Sequence, residues 1–323
     1  MHDIADRGPS SGFAGELKFD NPDRTVKGER RAVVRFRRLE TLWVNTGTLC
    51  NIECANCYIE SSPLNNRLSY FTSRDLLSVL DEAERIGQTP RMVGFTGGEP
   101  FMNPAMSDML DVVLDRGHDA LVLTNAMRPM MRARIQAALL NLQRRHPDKL
   151  ALRVSLDHWR ADLHDEERGI KSFDIAKRGL KWLVDNRFRV SVAGRLRWGD
   201  SEDAMREGYS ELFARSGITI DARDREALVL FPEMDEAAPV PEISEGCWAI
   251  LGKRPDDMMC ATSRMIVKRR GATEPSVIAC TLLPYDERFD FGPSLPGALS
   301  PIKLSHPHCA KFCVLGGSSC SSG

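Results

Sequence analysis

The sequence has no long apolar segment and no excess of charge of either sign. No apolar run approaches the roughly 18 residues that a membrane-spanning helix requires. The 44 Lys and Arg residues are balanced by 45 Asp and Glu residues, which gives a net charge of −1. A general nucleic-acid-binding protein would need a basic excess to neutralise phosphates. We therefore expect neither a membrane span nor sequence-independent binding to nucleic acid.

A secretory signal is also missing, because residues 1–13 contain no basic segment followed by an apolar one. We therefore expect a cytoplasmic location, where the reducing environment disfavours disulfides. The nine cysteines are then expected to be metal ligands, catalytic thiols or small core residues.

The placement of the cysteines favours metal ligands. Three of them lie within eight residues and six lie in the last quarter of the chain, whereas core cysteines would be scattered. Three thiolates on one loop could bind a [4Fe–4S] cluster and leave one iron open to a small ligand. A structural zinc site usually takes four ligands, one more than this loop offers. The first group is Cys50, Cys54 and Cys57, and the second is Cys247, Cys260, Cys280, Cys309, Cys313 and Cys320.

Strands and helices alternate about six times between residues 39 and 231. This alternation predicts a parallel sheet with right-handed crossovers. A closed eight-unit barrel usually takes about 250 residues, so the fold class is predicted as α/β with a partial (β/α)6 TIM-type barrel. The strands are predicted at 41–45, 92–95, 120–123, 150–156, 190–193 and 227–231, and the helices at 72–87, 105–116, 131–145, 173–185 and 203–215.

Two further segments flank the predicted barrel of residues 39–231. Residues 1–38 are polar and without a clear period, which predicts a loosely ordered arm. Residues 232–323 begin with a linker rich in Pro and Glu, followed by short strands and loops with many cysteines. Because this small segment cannot build a large core alone, a metal that ties it together is plausible.

Polar residues and glycines follow the predicted strands where each one ends. In parallel α/β folds, functional sites collect at the C-terminal ends of the strands. This convergence predicts an active site at one end of the barrel. The residues are the Cys50–Cys57 loop after the first strand, Gly97, Gly98 and Glu99 after the second, Asn125 after the third, Ser155 and Asp157 at the end of the fourth and Arg195 after the fifth.

Two strings resemble the radical S-adenosylmethionine (radical SAM) superfamily. They are Leu49–Tyr58 (LCNIECANCY) and Phe95–Pro100 (FTGGEP), about 40 residues later at the end of the next strand. The first pattern is moderately specific alone, and the second makes the match strong. The resemblance extends over about residues 40–231. One residue departs from the family pattern, because the position before the third cysteine is often aromatic and is Asn56 here.

The resemblance implies that the first three cysteines hold a [4Fe–4S] cluster whose open iron chelates S-adenosylmethionine. One electron, from a donor such as flavodoxin or ferredoxin, then yields a 5′-deoxyadenosyl radical that abstracts a substrate hydrogen. The implied cofactor-binding residues are Gly97, Gly98 and Glu99 near the methionine ammonium, Ser155 and Arg195 near the carboxylate or ribose, Asn125 as a further candidate, and Tyr58 near the adenine.

The segment from Cys260 to Cys280 resembles the β-hairpin that opens the SPASM or twitch extension of many radical SAM enzymes. A complete SPASM set has seven cysteines, and five occur from Cys260 onward, so the resemblance implies one auxiliary [4Fe–4S] cluster. A zinc site from the same residues is the alternative. The implied ligands are Cys260, Cys280, Cys309 and Cys313, with Cys320 as their competitor; Cys247 is left as a spare core thiol or a hydrogen-atom donor.

The substrate is the least determined part of the prediction. Oxidation or rearrangement of a small molecule competes with modification of a peptide. The arm of residues 1–38 is short for a separate peptide-binding domain, which favours a small molecule slightly. A non-catalytic iron–sulfur or zinc protein is the alternative, but Glu99 and the adjacent glycines argue against it, since cluster binding alone does not need them.

Overall fold

The computed structural model describes residues 17–233 and 239–318. Within these ranges, no helix combines the length and apolarity needed to cross a bilayer. The strands are β1 (Val33–Val34), β2 (Thr41–Asn45), β3 (Met92–Thr96), β4 (Asp119–Thr124), β5 (Leu150–Ser155), β6 (Arg189–Leu196), β7 (Leu228–Pro232), β8 (Ser263–Val267), β9 (Ser276–Ile278) and β10 (Ile302–Lys303). The α-helices are α1 (Ser73–Arg85), α2 (Met106–Asp115), α3 (Ala133–Arg145), α4 (Ala161–Arg168), α5 (Ser172–Asp185), α6 (Glu202–Ser216) and α7 (Cys247–Leu251).

The six predicted barrel strands are confirmed as β2 to β7. Each of β2 to β6 pairs in parallel with the next strand along the chain. Side chains of β2 alternate between two cores: Leu42 and Val44 pack under the helices, and Trp43 packs in the barrel interior. Both faces are therefore covered, which is why the strand reads as a continuous apolar run. The fold is the predicted partial TIM-type barrel.

Helix α1 shows how local sequence sets an element boundary. The Thr72 side chain accepts a hydrogen bond from the Asp75 backbone N–H at 3.2 Å, and the Asp75 carboxylate accepts one from the Thr72 N–H at 3.0 Å. This reciprocal capping satisfies two backbone donors that a helix start leaves open. Asp75 also forms an ion pair with Lys268 at 2.8 Å, which ties the helix to the C-terminal region.

The C-terminal hairpin is continuous with the barrel sheet. Strands β8 and β9 pair antiparallel, as the resemblance of the Cys260–Cys280 segment to a β-hairpin implies. Strand β8 also pairs in parallel with β2, so the eight-stranded sheet has the order β7–β6–β5–β4–β3–β2–β8–β9. This edge-to-edge pairing joins residues more than 200 positions apart, and nothing in the local pattern indicates it.

The described part of the N-terminal arm, residues 17–38, is not loosely ordered, so that prediction is corrected. Strand β1 pairs with β10, and Ala32 and Val34 are fully buried. The buried Arg31 guanidinium pairs with Glu242 at 2.6 Å. The polar composition suggested disorder because the partners of these groups lie over 200 residues away. The proposed segment boundaries at residues 38 and 231 stay predictions.

Candidate functional site

A cavity of about 180 Å³ lies at the C-terminal ends of the barrel strands. Four apolar residues of β7 and the C-terminal region form part of its wall, namely Phe231, Pro232, Leu282 and Phe312. All three cysteines of the first group line the cavity, together with six of the seven predicted cofactor-binding residues. These nine are Cys50, Cys54, Cys57, Tyr58, Gly97, Gly98, Asn125, Ser155 and Arg195.

The cysteine loop offers three thiols from one short segment to this cavity. Burial raises the pKa of Cys50 to about 12 and that of Cys54 to about 11, although Arg168 opposes the shift at Cys54. Without a cationic ligand Cys50 and Cys54 therefore stay protonated, and metal binding would release their protons. No group of three His, Cys, Asp or Glu side chains within the described ranges could hold a metal ion as placed. The fit to a [4Fe–4S] cluster thus rests on the donor set and the shared cavity.

Gly97 and Gly98 press against the backbone of residues 47–49, which lead into the cysteine loop. A Cβ atom on Gly97 would lie 2.5 Å from the Gly47 carbonyl oxygen, and one on Gly98 would lie 2.2 Å from that of Leu49. Gly97 also has a φ of +137°, which favours glycine. The Gly98 N–H donates to the Gly47 carbonyl at 2.9 Å. Both glycines therefore hold the cysteine loop against the end of β3, a role that the resemblance did not imply.

We expect Gly98→Ala to displace the cysteine loop, because its Cβ would overlap the Leu49 carbonyl next to Cys50. The purified variant should bind far less iron after anaerobic reconstitution than the wild-type chain. Gly297→Ala is the matched control, since its Cβ meets nothing closer than 3.7 Å. Equal iron in all three proteins would show that the glycine contact does not set the loop.

Glu99 does not line the cavity and lies behind it. Its carboxylate accepts hydrogen bonds from the Thr124 hydroxyl at 2.9 Å, the Asn125 N–H at 2.8 Å and the Phe101 N–H at 3.2 Å. Burial nevertheless raises its pKa to about 7. In this structure Glu99 acts on the cavity through Asn125, and direct contact with a ligand ammonium stays a prediction.

The raised pKa of Glu99 gives a pH dependence of stability. The unfolded chain loses this proton near pH 4.5 and the folded chain near pH 7, so the folded state binds more protons between these values. We expect stability to fall as pH rises across this window, by about 3 kcal/mol at most. Urea unfolding of the metal-free protein at pH 5 and pH 8 measures it, with Glu99→Gln as reference. A wild-type pH dependence identical to that of the variant would contradict the assignment.

Asp157 lines the cavity, as its place at a strand end predicts, together with Arg153 and Arg168, for which the sequence predicts no role. The Arg168 guanidinium donates to the Asp157 carboxylate at 2.6 and 3.0 Å, deep beside Cys54. Burial works against ionisation of Asp157, but Arg168 outweighs it and holds the Asp157 pKa below its usual value. Arg153 lines the cavity from β5 and donates to the Ser191 hydroxyl at 3.1 Å. The place of Asp157 at a strand end can be recognised in the sequence. Arg168 reaches the cavity because helix α4 carries it there, which the sequence pattern does not predict.

Arg195 reaches the cavity as predicted, but two carboxylates already hold its guanidinium. It pairs with Glu167 at 2.7 Å and with Glu233 at 3.2 Å. Its contact with a ligand carboxylate or ribose stays a prediction. The first of these carboxylates, Glu167, also contacts the cysteine loop.

The four favoured cysteines of the C-terminal group line a second, smaller cavity of about 20 Å³. Burial raises the pKa of two of them, Cys260 to about 11 and Cys309 to about 12. Leu282 lines both cavities, so the two sites adjoin. Cys320 lies outside the described residues. The four are Cys260 and Cys280, which flank the β8–β9 hairpin, and Cys309 and Cys313 of the π-helix Cys309–Leu315.

Cys247 lines neither cavity. Its sulfur accepts a hydrogen bond from the Ser244 N–H at 3.4 Å at the start of α7. This position favours the spare core thiol over a hydrogen-atom donor.

The chain is similar to known proteins over the barrel region. The sequence model of the family described as "Radical SAM superfamily" matches residues 44–196, which include the first cysteine group, Gly97, Gly98 and Arg195. This match spans a little under half of the 323 residues, and over that stretch the chain is similar to the radical SAM superfamily. The cofactors of this family of enzymes are a [4Fe–4S] cluster and S-adenosylmethionine, as the sequence predicted.

Two curated relatives are similar to part of the chain. AlbA of Bacillus subtilis (strain 168), an antilisterial bacteriocin subtilosin biosynthesis protein, is 32% identical over 145 residues, which are 45% of this chain and 30% of AlbA. Mycofactocin maturase MftC of Mycobacterium tuberculosis (strain ATCC 25618 / H37Rv) is 27% identical over 176 residues, which are 53% of this chain and 41% of MftC. The chain thus matches less than half the length of either relative.

Solved structures support the fold. Streptococcus suis SuiB bound to S-adenosylmethionine superposes with a TM-score of 0.54 at 15% identity, over 79% of this chain and 63% of SuiB. The histidine-tagged protein anSMEcpe with bound AdoMet gives 0.55 at 14% identity, over 81% of this chain and 77% of that protein. At these identities the likeness concerns the fold alone.

Proposed function

We propose that the chain cleaves S-adenosylmethionine reductively and uses the resulting 5′-deoxyadenosyl radical to abstract a hydrogen atom from its substrate. The observation that carries the proposal is the cavity shared by the three loop cysteines, Gly97, Gly98 and the ends of the neighbouring strands. When bound, the reduced cluster supplies the electron for this cleavage. An electron donor such as flavodoxin or ferredoxin completes the proposal.

The chain's own residues prepare the cavity for this reaction. Gly97 and Gly98 hold the cysteine loop. The Glu99 carboxylate fixes the backbone of Asn125, and the Asn125 side-chain amide donates a hydrogen bond to the Asn51 side-chain oxygen at 2.9 Å. Apolar side chains such as Phe312 line part of the cavity and would exclude water from a substrate bound against them. Such exclusion protects a reactive intermediate from side reactions.

A peptide is the substrate class we propose, in place of the small molecule favoured by the sequence. AlbA is named for the biosynthesis of a bacteriocin, and one solved structure shows SuiB bound to its precursor peptide SuiA. The described part of the arm, residues 17–38, packs against the C-terminal region. The docking surface for a peptide would then be the barrel and this region themselves.

We further propose that Cys260, Cys280, Cys309 and Cys313 hold an auxiliary [4Fe–4S] cluster in a SPASM- or twitch-like extension, with zinc as the alternative. Their common cavity supports this ligand set over one that includes Cys247. Because Leu282 borders both cavities, a group bound there is placed to accept an electron from the substrate radical or to anchor the substrate.

Anaerobic incubation of the reconstituted, reduced chain with S-adenosylmethionine and an extract of deuterium-labelled cells tests the proposal. We expect deuterium in 5′-deoxyadenosine, detected by mass spectrometry, when the peptide fraction is added. Digesting that fraction with a protease should abolish the transfer. Transfer from the small-molecule fraction alone would overturn the peptide proposal. An intact cluster that forms no 5′-deoxyadenosine would favour the non-catalytic alternative.

A further inference from the structure

The loop between Cys54 and Cys57 is anchored by one residue of helix α4. The Glu167 side chain is only 1% exposed. Its carboxylate accepts hydrogen bonds from the Asn56 backbone N–H at 2.9 Å and from the Asn56 side-chain amide at 2.8 Å. The Glu167 carbonyl oxygen accepts a third, from the Ala55 N–H at 2.8 Å. Consecutive residues of the cysteine loop are thus held by one glutamate.

The same carboxylate is also held by two arginines, Arg195 of β6 and Arg197 just after it. Arg195 donates to it at 2.7 Å and Arg197 approaches it at 3.4 Å. Arg195 in turn contacts Glu233. A buried carboxylate with four such partners has little freedom to move, because each charge-assisted hydrogen bond restricts its geometry. The cysteine loop is therefore fixed to the rigid barrel and not only to its own strand.

We propose that Glu167 is a positioning residue for the [4Fe–4S] cluster, acting through Asn56 on the loop that carries Cys54 and Cys57. This inference rests on the proposed function, since it assumes that the loop holds a cluster. It also accounts for a polar residue before the third cysteine: at this position an aromatic side chain would leave the Glu167 carboxylate without its amide partner.

The test compares Glu167→Gln with Glu166→Gln after anaerobic reconstitution. Glu166 lies on the same helix and is exposed, so its variant controls for the loss of one negative charge. The readouts are the rate at which a chelator removes iron and the electron paramagnetic resonance spectrum of the reduced cluster with and without S-adenosylmethionine. Neither readout requires turnover of a substrate.

We expect Glu167→Gln to accelerate iron loss about tenfold or more, since an amide cannot replace both oxygens of a charged acceptor. The spectral response to S-adenosylmethionine should weaken in the same variant. Glu166→Gln should match the wild-type chain in both measurements. Asn56→Ala, at an exposed position, removes only the side-chain bond and should accelerate iron loss less.

A double-mutant cycle between Asn56→Ala and Glu167→Ala isolates the contact from a general loosening of helix α4. We expect the two substitutions together to accelerate iron loss less than the product of their separate effects. If Glu167→Gln fails to fold, the Asn56→Ala variant alone tests the inference. Iron loss from Asn56→Ala at the wild-type rate would then overturn it. A wild-type chain that binds no cluster would instead refute the proposed function. An intact wild-type cluster with equal rates in both glutamine variants would refute the positioning role.

Discussion

Replacing Cys54 by alanine should abolish formation of 5′-deoxyadenosine by the reconstituted chain. Cys54 lies at the centre of the loop, where the next residue, Ala55, donates its N–H to Glu167. Removing one of three protein ligands leaves a cubane cluster with two, and such a cluster is not expected to keep a defined open iron. We expect a complete loss of 5′-deoxyadenosine, because the cleavage of S-adenosylmethionine needs an electron from this cluster.

The iron content of the Cys54→Ala variant shows whether one cluster or two are lost. If the C-terminal cysteines hold a second cluster, Cys54→Ala should retain about half of the wild-type iron, as expected for two clusters of equal size. Cys247→Ala is the matched control, since Cys247 lines neither cavity. It should keep the full iron content and the full activity. Continued formation of 5′-deoxyadenosine by the Cys54 variant would contradict the assignment of the first cysteine group.

Cys280→Ala should have the opposite effect: it should remove the second cluster and leave the cleavage of S-adenosylmethionine intact. Cys280 lines the second cavity with three other thiols, and among the described residues only Leu282 is common to both cavities. We therefore expect this variant also to lose about half of its iron while still cleaving S-adenosylmethionine. Formation of the modified product should stop, because the auxiliary site would no longer accept an electron from the substrate radical or hold the substrate.

Iron and zinc analysis of the same samples distinguishes the alternatives. Zinc lost from Cys280→Ala, with the iron content unchanged, would establish a zinc site in the second cavity. Full retention of both metals would show that Cys280 is not a ligand. The Cys247→Ala control again should match the wild-type chain, so that a general effect of removing any thiol is excluded.

Much of the barrel could be predicted from the sequence because parallel strands buried on both faces read as short apolar runs between amphipathic helices. Thr72 marks the start of α1, and Gly97 marks the end of β3. Helix α4 was missed because it is short and mostly polar, with only His164 and Glu167 buried. A polar helix has no apolar period to reveal it.

The sequence by itself determined the chemistry offered to the cavity: the spacing of the three cysteines, the two glycines and the polar residues at the strand ends. Only the tertiary structure decided how these groups are held. It placed Glu99 behind Asn125, paired Arg168 with Asp157 and joined Glu167 to Asn56. The reason is that spacing within one loop is a local property, whereas a buried charge finds its partner wherever folding brings a suitable group within reach, 111 residues away for Glu167 and Asn56.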